Sequence, residues 1–179
     1  MPQETERKFL LKDDSWKKMV SSSCFFCQAY IPVLPGEKHT TVRIRIAGEK
    51  AFLTLKGSCG KEQKFTRSEF EYPIPLEDAQ TMLDEFCGDK IEKTRHIVHI
   101  PPFKWEIDEF AGKNAPLNIA EIELPSEETF FPLPPWLGEE VTMDHRYSNS
   151  FLAKHPFSTW KDLPFSTGKN SFYGKKESL

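Results

Sequence analysis

No stretch of this sequence approaches the roughly 20 consecutive apolar residues that a membrane-crossing helix needs, because Arg, Lys, Glu or Pro interrupts every apolar run. The opening Met1-Pro2-Gln3-Glu4 has no basic region followed by an apolar one, so the expectation is a cytoplasmic, unexported protein with no membrane partner. Cysteine is scarce. Of the four, Cys24 and Cys27 form a lone CxxC with no second pair and no Gly/Pro redox context, which points to reduced thiols rather than to disulfides or zinc. An excess of basic charge is also missing: 24 Lys and Arg against 27 Asp and Glu give a formal net charge of −3, so no global positive field argues for nucleic acid. The chain contains no GxSxG elbow, no GxxxxGK[ST] phosphate loop and no HExxH, and its five histidines (His39, His96, His99, His145, His155) show no metal-ligand spacing.

What is present is 179 residues, 38% hydrophobic and 28% charged, enough for one sizeable core and short for two domains. From residue 4 to about 124 the sequence alternates with a period of two between turn residues, the mark of antiparallel strands. Eight strands are expected, near 3–11, 27–32, 40–47, 50–56, 65–72, 91–100, 103–110 and 117–124. Helical spacing marks Leu76 to Cys87, where Ala79, Met82, Leu83 and Phe86 recur behind early acidic residues. A second helix is expected from Asp14 to Val20, with Asp13 or Asp14 as cap, and a third near Met143 to Lys154 after the Pro-rich loop Pro132 to Pro135. Residues 1–155 therefore read as one domain, and 156–179, rich in Ser, Gly and Lys, as a loosely ordered extension.

The polar faces of these strands are unusual. Glu4, Glu6 and Lys8 share one face of the first strand, and Arg43 and Arg45 share one opposite Val42, Ile44 and Ile46. Thr54 and Lys56 oppose Leu53 and Leu55; Arg67, Glu69 and Glu71 oppose Phe70 and Tyr72; Lys93 and Arg95 fall together. Then the sign reverses, with Glu106 and Asp108 opposite Trp105 and Ile107, and Glu121 and Glu123 opposite Ala120, Ile122 and Leu124. Two arrangements satisfy this pattern. Either an open sheet holds its charged face in water with helices on its back, or the sheet closes into a barrel with the charges lining its interior. Eight antiparallel strands suffice for closure, which removes exposed edges. Charges inside a barrel need partners, because an isolated ion in low dielectric is penalised by several kcal/mol. A polyanion with divalent cations supplies them: Lys and Arg clasp phosphate oxygens while Glu and Asp hold hard cations.

Glu4-Thr5-Glu6-Arg7-Lys8-Phe9 fits the ExExK signature of the CYTH superfamily, the triphosphate tunnel metalloenzymes, and seven later blocks follow in that family's order: VRIRI, FLTLKG, RSEFEY, EKTRH, WEIDEFAG, IAEIEL and GEEVTMDHRYSN. The chain resembles in particular the short bacterial members that act on inorganic tripolyphosphate, over about residues 3 to 155. The resemblance implies an α+β, mainly β fold: a closed eight-stranded antiparallel tunnel with flanking helices, which hydrolyses tripolyphosphate with Mg²⁺ or Mn²⁺ as cofactor. It implies Glu4, Glu6, Asp108, Glu121 and Glu123 as metal ligands, with Glu4, Glu6, Lys8 and Tyr30 as catalytic positions. Lys8, Arg43, Arg45, Lys56, Lys93 and Arg95 match the family's phosphate-gripping residues. Glu69 and Glu71 match family positions at the substrate, or orient the neighbouring Lys and Arg. Tyr30 stands where the family carries a tyrosine in a Gly-Tyr-Leu run, here Ala29-Tyr30-Ile31, and either touches a terminal phosphate or packs. Arg146 is a candidate for the tunnel mouth or a plain surface arginine. Class IV adenylyl cyclase, thiamine triphosphatase, nucleoside triphosphatase and a non-catalytic polyphosphate-binding module remain as alternatives, and a monomer and a homodimer are both open.

Overall fold

The computed structural model describes residues 5–33, 40–58, 67–126 and 128–161. The described residues form nine antiparallel strands: β1 (Thr5–Leu11), β2 (Val20–Ile31), β3 (Thr40–Ala47), β4 (Lys50–Ser58), β5 (Arg67–Ile74), β6 (Ile91–Ile100), β7 (Phe103–Phe110), β8 (Asn118–Leu124) and β9 (Leu137–Glu140). They form one sheet in the order β5-β4-β3-β2-β6-β7-β8-β1-β9. The helices are α1 (Leu76–Glu85) and the short α2 (Asn149–Lys154), with 3-10 turns around them.

Three expectations are corrected. The ninth strand, Leu-Gly-Glu-Glu, carries no alternation of its own and forms because it lies along β1, past a register shift between Phe9 and Leu11. β2 begins at Val20 rather than near 27; its Ser21 to Ser23 run has no strand pattern but is held in a ladder to β6, with an irregularity between Val20 and Ser22. The helix expected from Asp14 to Val20 is a 3-10 turn, Ser15–Met19, anchored by the fully buried Trp16, and Asp13 rather than Asp14 accepts the backbone N–H of Ser15 at 2.8 Å.

The sheet is strongly curved, with its charged faces on the inside. Leu10 on β1 and Tyr30 on β2 belong to one packed cluster although β6, β7 and β8 lie between their strands. In a flat sheet at about 4.8 Å per strand those positions would stand roughly 19 Å apart. The outer faces are covered in two places. Ala79 and Leu83 of α1 pack on Ala29, Ile44 and Ala51 of β2 to β4. Trp16, Phe131 and Trp136 pack on Phe9, Val98, Trp105, Ile107, Ala120 and Ile122.

A third cluster closes one end of the concave side. Leu10, Ile91, Phe110 and Ile119 meet Tyr147, Leu152, Ala153 and Phe157 from the segment around α2. Burial of such a set, at about 25 cal/mol per Å² of apolar area, holds this plug in place. The expected loose extension therefore starts inside the core: Phe157 is 1% exposed, and Trp160 stacks edge-on against Tyr147 at 5.2 Å. Residues 162–179 of that extension lie outside the described residues.

Candidate active site

Register decides which charges meet. Lys8 pairs with Glu121, Glu6 with Glu123, Glu106 with Glu121 and Arg95 with Asp108, so the parity read along each strand brings these side chains onto one wall. Lys8 Nζ lies 2.6 Å from Glu6 Oε1 and 2.5 Å from Glu121 Oε1. Arg95 grips Asp108 with Nε to Oδ1 at 2.7 Å and Nη2 to Oδ2 at 2.6 Å, reaches Glu121 Oε2 at 2.9 Å, and also pairs with Glu106. Behind it Lys93, with no exposed surface, pairs with Asp108 and donates to Asn149 at the start of α2 at 3.3 Å. Glu4 lies outside the described residues.

The opposite wall is basic. Arg43 Nη2 donates to Thr54 Oγ1 at 3.1 Å and to Glu71 Oε2 at 3.2 Å, and Thr54 donates to the same Glu71 oxygen at 2.9 Å. Lys56 pairs with Glu69 at 2.7 Å. Glu69 and Glu71 are thus in contact with cations of this wall. Arg45 is different: its Nε donates to the neutral Gln28 at 3.2 Å, and among the described residues it has no carboxylate partner. Phe26 of β2 stands between the walls, with the Arg45 and Arg95 guanidiniums 5.4 and 5.5 Å from its ring centre.

The electrostatics follow from this layout. Burial alone would raise the Glu121 carboxyl, but Lys8, Lys93 and Arg95 together pull it far below the usual carboxylate range. Glu6 goes the other way, pushed up by burial and then by the charge of Glu121, with Lys8 offsetting only part. Burial, with repulsion from Arg43 and Arg95, pushes Arg45 down to about 10. Burial also raises the Tyr30 phenol, which therefore keeps its proton at neutral pH and takes a hydrogen bond from Gln28 Nε2 at 3.0 Å. Arg43, 8% exposed, keeps a buried Nε with no partner among the described residues.

One wall thus has crowded carboxylates and the other has cations in excess. Glu6 and Glu121 offer hard oxygen donors whose mutual repulsion a divalent cation would relieve, and Glu123 lies opposite Glu6 in register. Among the described residues no three acidic, His or Cys side chains are already assembled around one point. The donor set nevertheless fits a hard cation, with Lys8 seated between two of the carboxylates. Arg146 lies beside the plug, paired with Asp144 at 2.5 Å and with its guanidinium 5.2 Å from the Trp160 ring centre. Cys24 and Cys27 stand three apart in β2 and so face opposite sides of the sheet.

Sequence reasoning missed Gln28 and Phe26, and it named Thr54 and Glu106 as members of a charged face without giving them a role at the site. The signal for Gln28 and Phe26 existed, since each shares parity with Tyr30 on β2, but uncharged side chains on a polar face look like ordinary positions.

A curved antiparallel sheet with crowded acids on one wall, cations in excess on the other and a plugged end has the fold and charge layout of a triphosphate-tunnel protein. The CYTH domain family matches residues 2–153, and the chain belongs to that family. It is 40% identical over 163 residues to an inorganic triphosphatase of Acetivibrio thermocellus, covering 90% of this chain and all of that one. An inorganic triphosphatase of Nitrosomonas europaea is 39% identical over 116 residues, 63% of this chain and 74% of that one. Among solved structures, an inorganic triphosphatase superposes with a TM-score of 0.62 at 32% identity, covering 86% of this chain and 95% of that one. A Pyrococcus furiosus protein shares the fold at 22% identity and a TM-score of 0.51, over 70% of this chain and 80% of that one. Triphosphatases of the CYTH family are metal-dependent as a class.

Proposed function

We propose that this chain is a metal-dependent hydrolase that cleaves inorganic tripolyphosphate into pyrophosphate and orthophosphate inside the tunnel. The observation that carries the reading is the basic wall in which, among the described residues, Arg45 has no carboxylate partner and the buried Arg43 Nε has no acceptor, facing the crowded pair Glu6 and Glu121. Buried donors without acceptors are costly, and phosphate oxygens are the acceptors that suit guanidinium geometry. The two inorganic triphosphatases at 39–40% identity support the choice of substrate.

Arg43, Arg45 and Lys56 neutralise the phosphate chain from one side, and Lys8 and Arg95 from the other. Tyr30, protonated, donates to a phosphate oxygen and is not a base. Asp108 is saturated by Lys93 and Arg95, so it acts by holding Arg95 in place, and Lys93 acts through its pairing with Asp108 and Asn149. Glu6, Glu121 and Glu123, with Glu4, would hold Mg²⁺ or Mn²⁺, which supplies charge neutralisation on the phosphates and activation of water. Positioning and fixed electrostatics supply most of the acceleration in such phosphoryl transfers. The reading takes the protein as cytoplasmic, a monomer or homodimer, without nucleic-acid or membrane partners; no helix among the described residues is long and apolar enough to cross a membrane.

The test is phosphate release from tripolyphosphate, ATP and thiamine triphosphate, each with Mg²⁺ and with Mn²⁺. Preferred turnover of tripolyphosphate supports the proposal. Preference for either nucleotide or thiamine substrate, cyclic AMP from ATP, or binding without turnover overturns it in favour of the corresponding relative.

A further inference from the structure

Gln28 is an uncharged residue of the charged face whose amide touches two different functional groups, Arg45 and Tyr30. Its side chain is fully buried. Oε1 accepts from Arg45 Nε at 3.2 Å, and Nε2 donates to the Tyr30 hydroxyl at 3.0 Å. The register explains the contacts: Gln28 lies directly opposite Arg45 on β3, shares its face with Tyr30 two residues on, and on its other side opposes the fully buried Ile91 of β6. Water has no access there, so the amide orientation is set by these two partners.

We infer that Gln28 is a positioning residue that aims Arg45 and Tyr30 together at one phosphate group of the substrate, an inference that rests on the proposed triphosphatase reading. By occupying Nε, it turns the terminal nitrogens of Arg45 toward the bore. By donating to the Tyr30 oxygen, it leaves the phenol proton to be given to the substrate. Its neutrality matters as much as its shape. A carboxylate at position 28 would pair with Arg45 and cancel the charge that the phosphate chain needs, whereas an amide orients the guanidinium and leaves that charge uncompensated. Phe26, against the guanidinium face, removes a further degree of freedom.

The experiment compares wild type with Gln28→Glu, Gln28→Leu, Arg45→Ala and Gln28→Leu/Arg45→Ala, measuring tripolyphosphate turnover, metal-free tripolyphosphate binding by calorimetry, and thermal unfolding. Gln28→Glu is expected to raise KM and the metal-free Kd about tenfold or more while the unfolding midpoint holds or rises, since a buried ion pair has formed. Gln28→Leu should raise KM by a similar factor in the wild-type background and by less than twofold when Arg45 is already alanine. Wild-type binding constants in Gln28→Glu, or an undiminished Gln28→Leu effect without Arg45, overturns the inference. Should wild type bind tripolyphosphate without turning it over, the triphosphatase reading fails while the binding data still decide the role of Gln28.

Discussion

The ammonium of Lys8 lies 2.5 Å from a carboxylate oxygen of Glu121 on the neighbouring strand, and Glu6 approaches the same nitrogen at 2.6 Å. Lys8 is the protein's own cation between two carboxylates. Burial works against its charge, but Glu121 and Glu6 outweigh it and hold the ammonium protonated above the usual lysine range. Lys8→Met leaves the carboxylates facing each other, so a loss of about 3 kcal/mol is expected in urea unfolding. Millimolar Mg²⁺ should recover part of it. A loss that Mg²⁺ does not touch would move the cation site away from these residues.

Glu6 gives a pH signature. Its carboxyl is harder to ionise in the folded chain, through burial first and Glu121 second, so its charge opposes folding at neutral pH and the opposition is relieved as pH falls through the raised value. Glu6→Gln should therefore keep or raise the unfolding midpoint near neutrality while abolishing metal-dependent turnover. In wild type, activity should start to fall at a pH above the ordinary carboxylate range, because a protonated Glu6 cannot hold a cation. Full activity in Glu6→Gln would remove it from the ligand set.

Arg45 predicts a trade between stability and binding. With burial and two neighbouring guanidiniums holding it at about 10, its charge costs the ligand-free fold stability below that pH, and the cost fades as pH rises from about 10 toward the unfolded value. Arg45→Met should raise the ligand-free midpoint by about 2–4 °C and lose most of the stabilisation that tripolyphosphate gives wild type. Differential scanning calorimetry with and without tripolyphosphate reads both; a wild-type ligand shift in the variant contradicts the anion role.

Asp108 separates orientation from metal binding. Both of its oxygens accept from Arg95, and Lys93 shares one of them in a site closed to water. Asp108→Asn leaves Lys93 buried opposite a neutral amide and should cost about 3–5 kcal/mol in chemical denaturation. A metal ligand alone, such as Glu6, would show no such loss, so a stable Asp108→Asn protein with lost metal affinity would reassign the residue.

The plug gives a purely structural prediction. Phe157, 1% exposed, packs with Leu152, Tyr147 and Ile119 at the closed end of the bore. Phe157→Ala should lower stability by about 3–5 kcal/mol, measured by urea unfolding. A neutral result would show that the chain beyond Pro156 is dispensable to the core.

By itself the sequence determined the strands whose two faces differ in kind. β3, β6 and β7 have the expected limits because alternation of Arg with Ile, or of Glu and Asp with Trp and Ile, is a local property that any antiparallel partner preserves. It also determined which side chains share a wall, since parity along a strand is fixed by the backbone. Tertiary structure decided what parity cannot express. β9 and the first turns of β2 exist only because a neighbouring strand offers hydrogen bonds to sequences with no pattern of their own. The division of labour among the charges was decided there too. That Lys93 lies against Asp108, Glu71 against Arg43 and Arg45 against Gln28 depends on strand order and curvature, which bring together groups that lie far apart along the chain.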